Sequence, residues 1–167
     1  MLDHYYYLAS LPALGELGSE PSMGSAELLE HLEEDRARHA LVGSLFLLDD
    51  LLQREAFLAG ELEDVDPAVF SIQQVRNESP LPEFLASVPD VDESPRLGTA
   101  DRLWEAYFRH VAGLARRLES RFLAAWAGYE VALRNALVAA RAKRLGLDET
   151  DYVVAADLAS AGDEVTE

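Results

Sequence analysis

One apolar line limits what this chain can become. Trp104, Phe108, Val111, Ala115, Leu118, Phe122, Trp126, Tyr129, Leu133, Leu137 and Ala140 recur over 36 residues in ten steps, a mean spacing of 3.6. That is the period of a straight α-helix, without the tightening to 3.5 that a sustained two-stranded coiled coil imposes. Thr99 is placed to cap the start and Gly146 to stop the end. Unbroken, such a helix would run about 70 Å at about 1.5 Å per residue. A compact domain of this chain length is only about 40 Å across. The segment therefore bends or breaks, with Gly113 and Ser120 the weakest points, or it projects as a stalk. The ridge from Trp104 to Ala140 is expected to lie under other helices.

Shorter signals precede that helix. Residues 1–12 form a short apolar element ended by Pro12, and "ALGELGSEPSMGS" (13–25) is a Gly, Pro and Ser-rich connection. Ser25 is the expected N-cap of the next helix, with Glu27 and Glu30 suited to its positive end. Leu28, Leu32, Leu41, Leu45, Leu48 and Leu52 follow at helical spacings, and the polar "EEDRARH" divides them into two helices joined near Asp35 to Ala40. Gly60 ends the second of these. Residues 61–98 hold five of the seven prolines and many acids, which predicts a mobile loop or linker with only "PLPEFLASV" helical. No stretch alternates with period two, so no strand is expected. The expectation is an all-α fold: one helical domain over 1–148, a bundle built on the long C-terminal helix, followed by an acidic, partly disordered tail over 149–167.

Composition narrows the function classes. With 49% apolar residues in 167, the chain can bury a core, and its lack of cysteine excludes disulfides and thiolate sites. The start "MLDHYYYLAS" lacks the basic and apolar regions of a signal peptide, and no apolar run approaches the roughly 20 residues that span a bilayer. A cytoplasmic protein without membrane insertion is expected. A net charge of −17 makes nucleic acid and anionic lipid poor partners. The charge is uneven: residues 1–95 sum to −16, residues 96–145 to +6 and residues 146–167 to −7. Such asymmetry fits intramolecular pairing or a partner-binding face.

The residues offer little chemistry. The glycines of "GELGSEPSMGS" are followed by no Gly-Lys-Ser/Thr, and Lys143 is the one lysine, so a phosphate-cradling loop is excluded. His31 and Glu34 lie one helical turn apart, yet no second metal-ligating pair recurs on another helix, and no metal is expected. Asp49 and Asp50 point about 100° apart on a helix and cannot share a proton as a pair. No nucleophile, catalytic residue or cofactor site can be assigned, and the chain is read as a non-enzyme. Tyr5, Tyr6 and Tyr7 supply aromatic surface all round a short helix, one side for the chain's own core and another for a neighbour.

With "YYYLASLPAL", "LFLLDDLL", "LPEFL" and "LWEAYFRHVAGLARRLESRFLAAWAGYEVALRNALVAARAKRLGLD" in view, the chain resembles an uncharacterised bacterial family, domain-of-unknown-function family 2764. Its members are encoded beside subunits of V-type ATPases. The pieces cover most of residues 5–148 in order, and none is a catalytic signature. The last run is also similar to a recurring helix of the V/A-type central-stalk socket, the all-helical protein that caps the membrane ring and receives the rotating shaft. The matching positions are Glu130, Leu133, Arg134, Asn135, Leu137, Arg141, Ala142 and Lys143, and Tyr5, Tyr7 and Leu8 match the start of that socket protein. The socket protein is about twice this length with threefold internal repetition, which this chain lacks, and family members are expected to continue past Glu167.

What the resemblance implies is a non-enzymatic component or assembly factor of a V-type ATPase, similar to the coupling socket of its central stalk. It would contact the rotor shaft or membrane ring and sit peripherally at the inner membrane through the complex. Its interface residues would be Tyr5, Tyr6, Tyr7, Leu8, Arg134, Asn135, Arg141, Lys143 and Arg144, the bases fixing orientation. Asn135 is either solvated or a buried hydrogen bond setting helix register. The rivals are a stand-alone helical interaction module and an enzyme with an unrecognised site around His31, His39, Asp49 or Asp50.

Overall fold

The computed structural model describes residues 2–13, 15–86 and 99–159. The fold is all-α, with no strand among the described residues. In chain order the helices are α1 (Leu2–Ser10), α2 (Ser25–His31), α3 (Arg36–Leu58), α4 (Ile72–Val75), α5 (Glu83–Ala86), α6 (Thr99–Arg117), α7 (Arg121–Leu145) and α8 (Ala156–Ala159), with a 3-10 turn at Glu149–Asp151. The chain divides into two compact units, Met1–Ser79 and Pro80–Glu167.

In the first unit, α2 and α3 pack together and α4 returns onto α3. Asp35 caps α3 by accepting the Arg38 backbone N–H at 3.0 Å, and Gly60, with φ 74°, stops it. That stop is a Schellman turn: Glu61 N–H donates to Ala56 O at 2.8 Å and Gly60 N–H to Phe57 O at 3.0 Å. The N-cap of α2 is Gly24 rather than Ser25, with no side-chain cap bond. The buried line of α2 and α3 also differs from the expected leucines. Leu29, Leu32, Ser44, Leu47, Asp50 and Leu51 are inside, whereas Leu52 is exposed.

Residues 61–79 are not a loose linker, despite their acids and Pro67. Asp50, Gln53 and Arg54 share one edge of α3 and sew this segment down. The buried Asp50 carboxylate accepts the backbone N–H groups of Ala68 (2.8 Å), Val69 (2.8 Å) and Phe70 (2.6 Å). Gln53 accepts the Asp66 N–H at 2.8 Å and donates to the Asp66 carbonyl at 3.3 Å. Arg54 donates to the carbonyls of Gln74 and Val75 and to Asn77 Oδ1. Phe70 and Val75 complete the core beside α3. Of the expected loop, residues 87–98 lie outside the described residues.

The second unit is a helical hairpin, α6 and α7, with α5 on α6 and the 149–159 segment returning onto both helices. The long helix foreseen over 99–145 is broken at Ser120, while Gly113 continues inside α6. The break is a Schellman stop followed at once by a new cap. Ser120 N–H donates to Ala115 O at 2.9 Å and Glu119 N–H to Arg116 O at 3.2 Å, with Glu119 left-handed at φ 51°. The Ser120 hydroxyl then accepts the Leu123 N–H at 3.2 Å and opens α7. Residues 149–159 are fastened to the hairpin, and residues 160–167, the acidic end, lie outside the described residues. Asn135 pairs both ways with Val154, donating to its carbonyl at 2.8 Å and accepting its N–H at 3.1 Å. Arg109 binds Asp157 in a fork at 2.7 and 2.8 Å while its Nε meets Glu105 at 2.8 Å. Glu105 also accepts the Ala155 N–H, which holds that residue at φ 45°.

Candidate docking surface

The core of the second unit explains which side of α7 is left over. On α6, Trp104, Tyr107, Phe108 and Val111 are essentially inaccessible, and the three rings meet edge to face or tilted at 5.1 to 6.0 Å. Burial, then the Glu130 carboxylate, pushes the Tyr107 hydroxyl pKa far up, so it stays protonated. The side of α7 that is buried is mostly small: Leu123, Ala127, Gly128, Val131 and Ala142. The large rings of α6 and the small buried side chains of α7 belong to the same packed hairpin.

The large apolar residues of α7 are therefore on its other side. Phe122 is 60% exposed, Tyr129 64%, Leu133 43% and Leu137 50%, with Trp126 half-buried and Ala140 exposed beside them. The expected ridge is buried from Trp104 to Ala115 and open from Phe122 onward, because the turn at Glu119 ends one helix and restarts the next with a different face inward. From Phe122 to Ala140 the open ridge is about 27 Å long at about 1.5 Å per residue. Its line runs on to Arg144, with Arg141 and Lys143 exposed nearby and Arg121 exposed at the other end. The bases in the last turn also suit the negative end of the helix, which Gly146 closes at φ 69°.

The nine interface residues named from sequence divide between the units. Arg141, Lys143 and Arg144 lie exposed along α7. Arg134 is turned inward, its guanidinium 4.1 Å above the Trp104 ring, and Asn135 is hydrogen-bonded to the backbone of Val154 beyond the end of α7. Tyr5, Tyr6, Tyr7 and Leu8 are on α1 in the first unit. Tyr5 and Tyr6 are exposed, whereas Tyr7 is half-buried, edge-on to His31 at 5.9 Å and under the Arg38 guanidinium at 4.9 Å. Beside Tyr7 is a cavity of about 350 Å³ walled by Leu11, Leu28, Leu32, Leu41 and Val42, with Arg38 also in its lining.

Of the residues weighed for chemistry, Asp49, Asp50 and His31 have hydrogen-bonding partners. Asp50 is held by three backbone donors and Asp49 by Gln53 at 2.8 Å. His31 Nε2 meets the Ser10 hydroxyl at 2.8 Å. His110 stacks on Phe84 at 4.1 Å, and burial, with the Arg117 charge second, holds its imidazole below the ordinary value of 6.5. Among the described residues no three His, Cys, Asp or Glu side chains gather as a metal site, and no helix is long and apolar enough to cross a membrane. The open face of α7 was missed as a surface because periodicity marks a stripe without saying what covers it. Comparison with protein-family models, with curated proteins and with solved structures gives no match.

Proposed function

We propose that this chain is a non-enzymatic component or assembly factor of a V-type ATPase, a helical contact protein similar to the coupling socket of the central stalk. One observation supports the reading: the exposed ridge of α7, with Tyr129, Leu133 and Leu137 flanked by Arg141, Lys143 and Arg144, falls in the run that carries the resemblance. Burial of the ridge against a protein of the rotor or membrane ring supplies affinity, and the bases fix orientation. Arg134 and Asn135 contribute indirectly, by fastening α7 to Trp104 and to Val154. The protein is then cytoplasmic and reaches the inner membrane through the complex.

The same ridge serves a stand-alone interaction module equally well, so the test must identify the partner. The chain is tagged in its source organism with a photo-crosslinking residue at position 133 and purified after irradiation. ATPase subunits are expected in the crosslinked product and absent when the crosslinker is moved to a buried position such as Val131. Crosslinks to other proteins only, in cells where the ATPase is assembled, overturn the ATPase assignment.

A further inference from the structure

We infer that the outer face of α7 seats an acid-flanked amphipathic helix of another protein, laid along the ridge from Phe122 to Ala140. Its acids would meet Arg121 at one end and Arg141, Lys143 and Arg144 at the other. The inference rests on the docking role proposed for α7, and it does not depend on the partner being an ATPase subunit.

Three features favour this occupant. The first is the amount of apolar surface. At 60% and 64% exposure, Phe122 and Tyr129 alone leave about 250 Å² in water, taking roughly 200 Å² per ring. Leu133 and Leu137 extend the patch to a few hundred Å², the size at which a monomer's largest apolar patch is often functional. The second is shape. The ridge is a straight line at helical spacing on a helix fixed from behind by α6 and by Val154, and a second helix is the element that matches such a line.

The third is charge. Helix α7 carries five bases and one acid in a chain whose net charge is −17. A second copy is a poor occupant on these grounds. Antiparallel pairing about the middle of the ridge sets Arg141, Lys143 and Arg144 against the partner's Arg121, and parallel pairing sets the basic ends against each other. Acids flanking a partner's apolar stripe satisfy both the ridge and its ends.

The test uses the full chain and two synthetic helical peptides of about eighteen residues, the length that matches the ridge. Both carry the same leucine stripe; one has Glu on its flanks and the other Lys. The Glu peptide is expected to bind about tenfold or more tightly than the Lys peptide, and to weaken several-fold between about 50 and 300 mM salt. Tyr129→Ser with Leu133→Ser should abolish binding with thermal unfolding unchanged. The triple variant Arg141→Glu, Lys143→Glu, Arg144→Glu should reverse the preference, and its Gln counterpart should erase it. Equal or absent binding of the two peptides overturns the proposal. So does a concentration-dependent dimer in sedimentation that Leu133→Ser dissolves, or ridge-dependent binding to phosphatidylserine vesicles. Crosslinking to ATPase subunits that survives with no peptide preference sinks this inference alone. A clear peptide preference without ATPase subunits sinks the ATPase assignment alone.

Discussion

Asp50 is the residue on which the first unit's return segment depends. Its carboxylate is wholly buried and accepts three consecutive backbone N–H groups, those of Ala68, Val69 and Phe70. Burial pushes its pKa up from the ordinary value, while the three donors pull the other way. In Asp50→Ala all three donors lose their acceptor. Val69 is exposed and Ala68 half-buried, so water can reach their amides, at a loss of about 1 kcal/mol for each bond exchanged. Phe70 is 5% exposed, and its N–H has no such recourse, which adds about 1 to 3 kcal/mol for an orphaned buried donor. The sum is about 3 to 5 kcal/mol. Total stability for a unit of this size is about 4 to 12 kcal/mol, so the variant approaches unfolding.

Asp50→Asn separates the hydrogen bonds from the cavity. Its amide oxygen can still take the two donors that now share one carboxylate oxygen, but its NH₂ then faces the remaining N–H. The expected cost is about 1 to 3 kcal/mol. Both tryptophans lie in the second unit, so urea unfolding followed by circular dichroism, rather than tryptophan fluorescence, reports the change. Hydrogen exchange localises it: amides 68–70 and the α4 turn should lose protection first. An Asp50→Ala protein within about 0.5 kcal/mol of the parent, with amides 68–70 still protected, would refute the reasoning.

Three further outcomes are expected. Trp104→Ala should destabilise by about 3 to 5 kcal/mol in urea, through loss of ring contacts and of the Arg134 cation–π pair, whereas Tyr129→Ala on the open ridge should stay within about 0.5 kcal/mol. Glu119→Gly should stabilise by roughly 0.5 to 1 kcal/mol, since it relieves a left-handed side chain at the α6 stop against the entropy glycine adds to the unfolded chain; a loss would place the break elsewhere. His110 has a folded pKa below 6.5, so the unfolded chain binds the extra proton and stability rises with pH through that window; it should be full above about 6.5 and fall as acid drives the pH through the folded value. His110→Phe should flatten that part of a stability-against-pH curve.

Much of the architecture was legible because it is written in local chemistry. Gly60 and Gly146 mark real stops, the join begins at Asp35 as expected, and Ser120 is the real break, each being a residue type suited to its backbone geometry. The 61–79 segment was not legible, because what fixes it is one edge of α3 reaching across some 20 positions, and Asp50 reads locally as a polar helix residue. Asn135 was legible only as a choice between water and a buried bond. Val154, which decides that choice, lies beyond the helix, 19 positions from Asn135, where helical periodicity gives no pairing signal.

The ridge shows why size misleads a reading from sequence. Large apolar residues mark the interior when a helix has one apolar side, and α6 obeys this with Trp104, Tyr107 and Phe108 inside. Helix α7 is apolar on both sides, and the side turned inward is the one with the smaller residues. The buried side carries Leu123, Ala127, Gly128 and Val131, while Phe122, Tyr129 and Leu133 are on the open side. Phe122 and Tyr129 are thereby left with most of their surface outside, and Leu133 and Leu137 with about half of theirs. A helix serving only this core would carry Lys, Glu or Gln at 122, 129, 133 and 137, which are better for solubility and as good for helix formation. Their replacement by Phe, Tyr, Leu and Leu in a chain this acidic is the physical argument for a partner on that face.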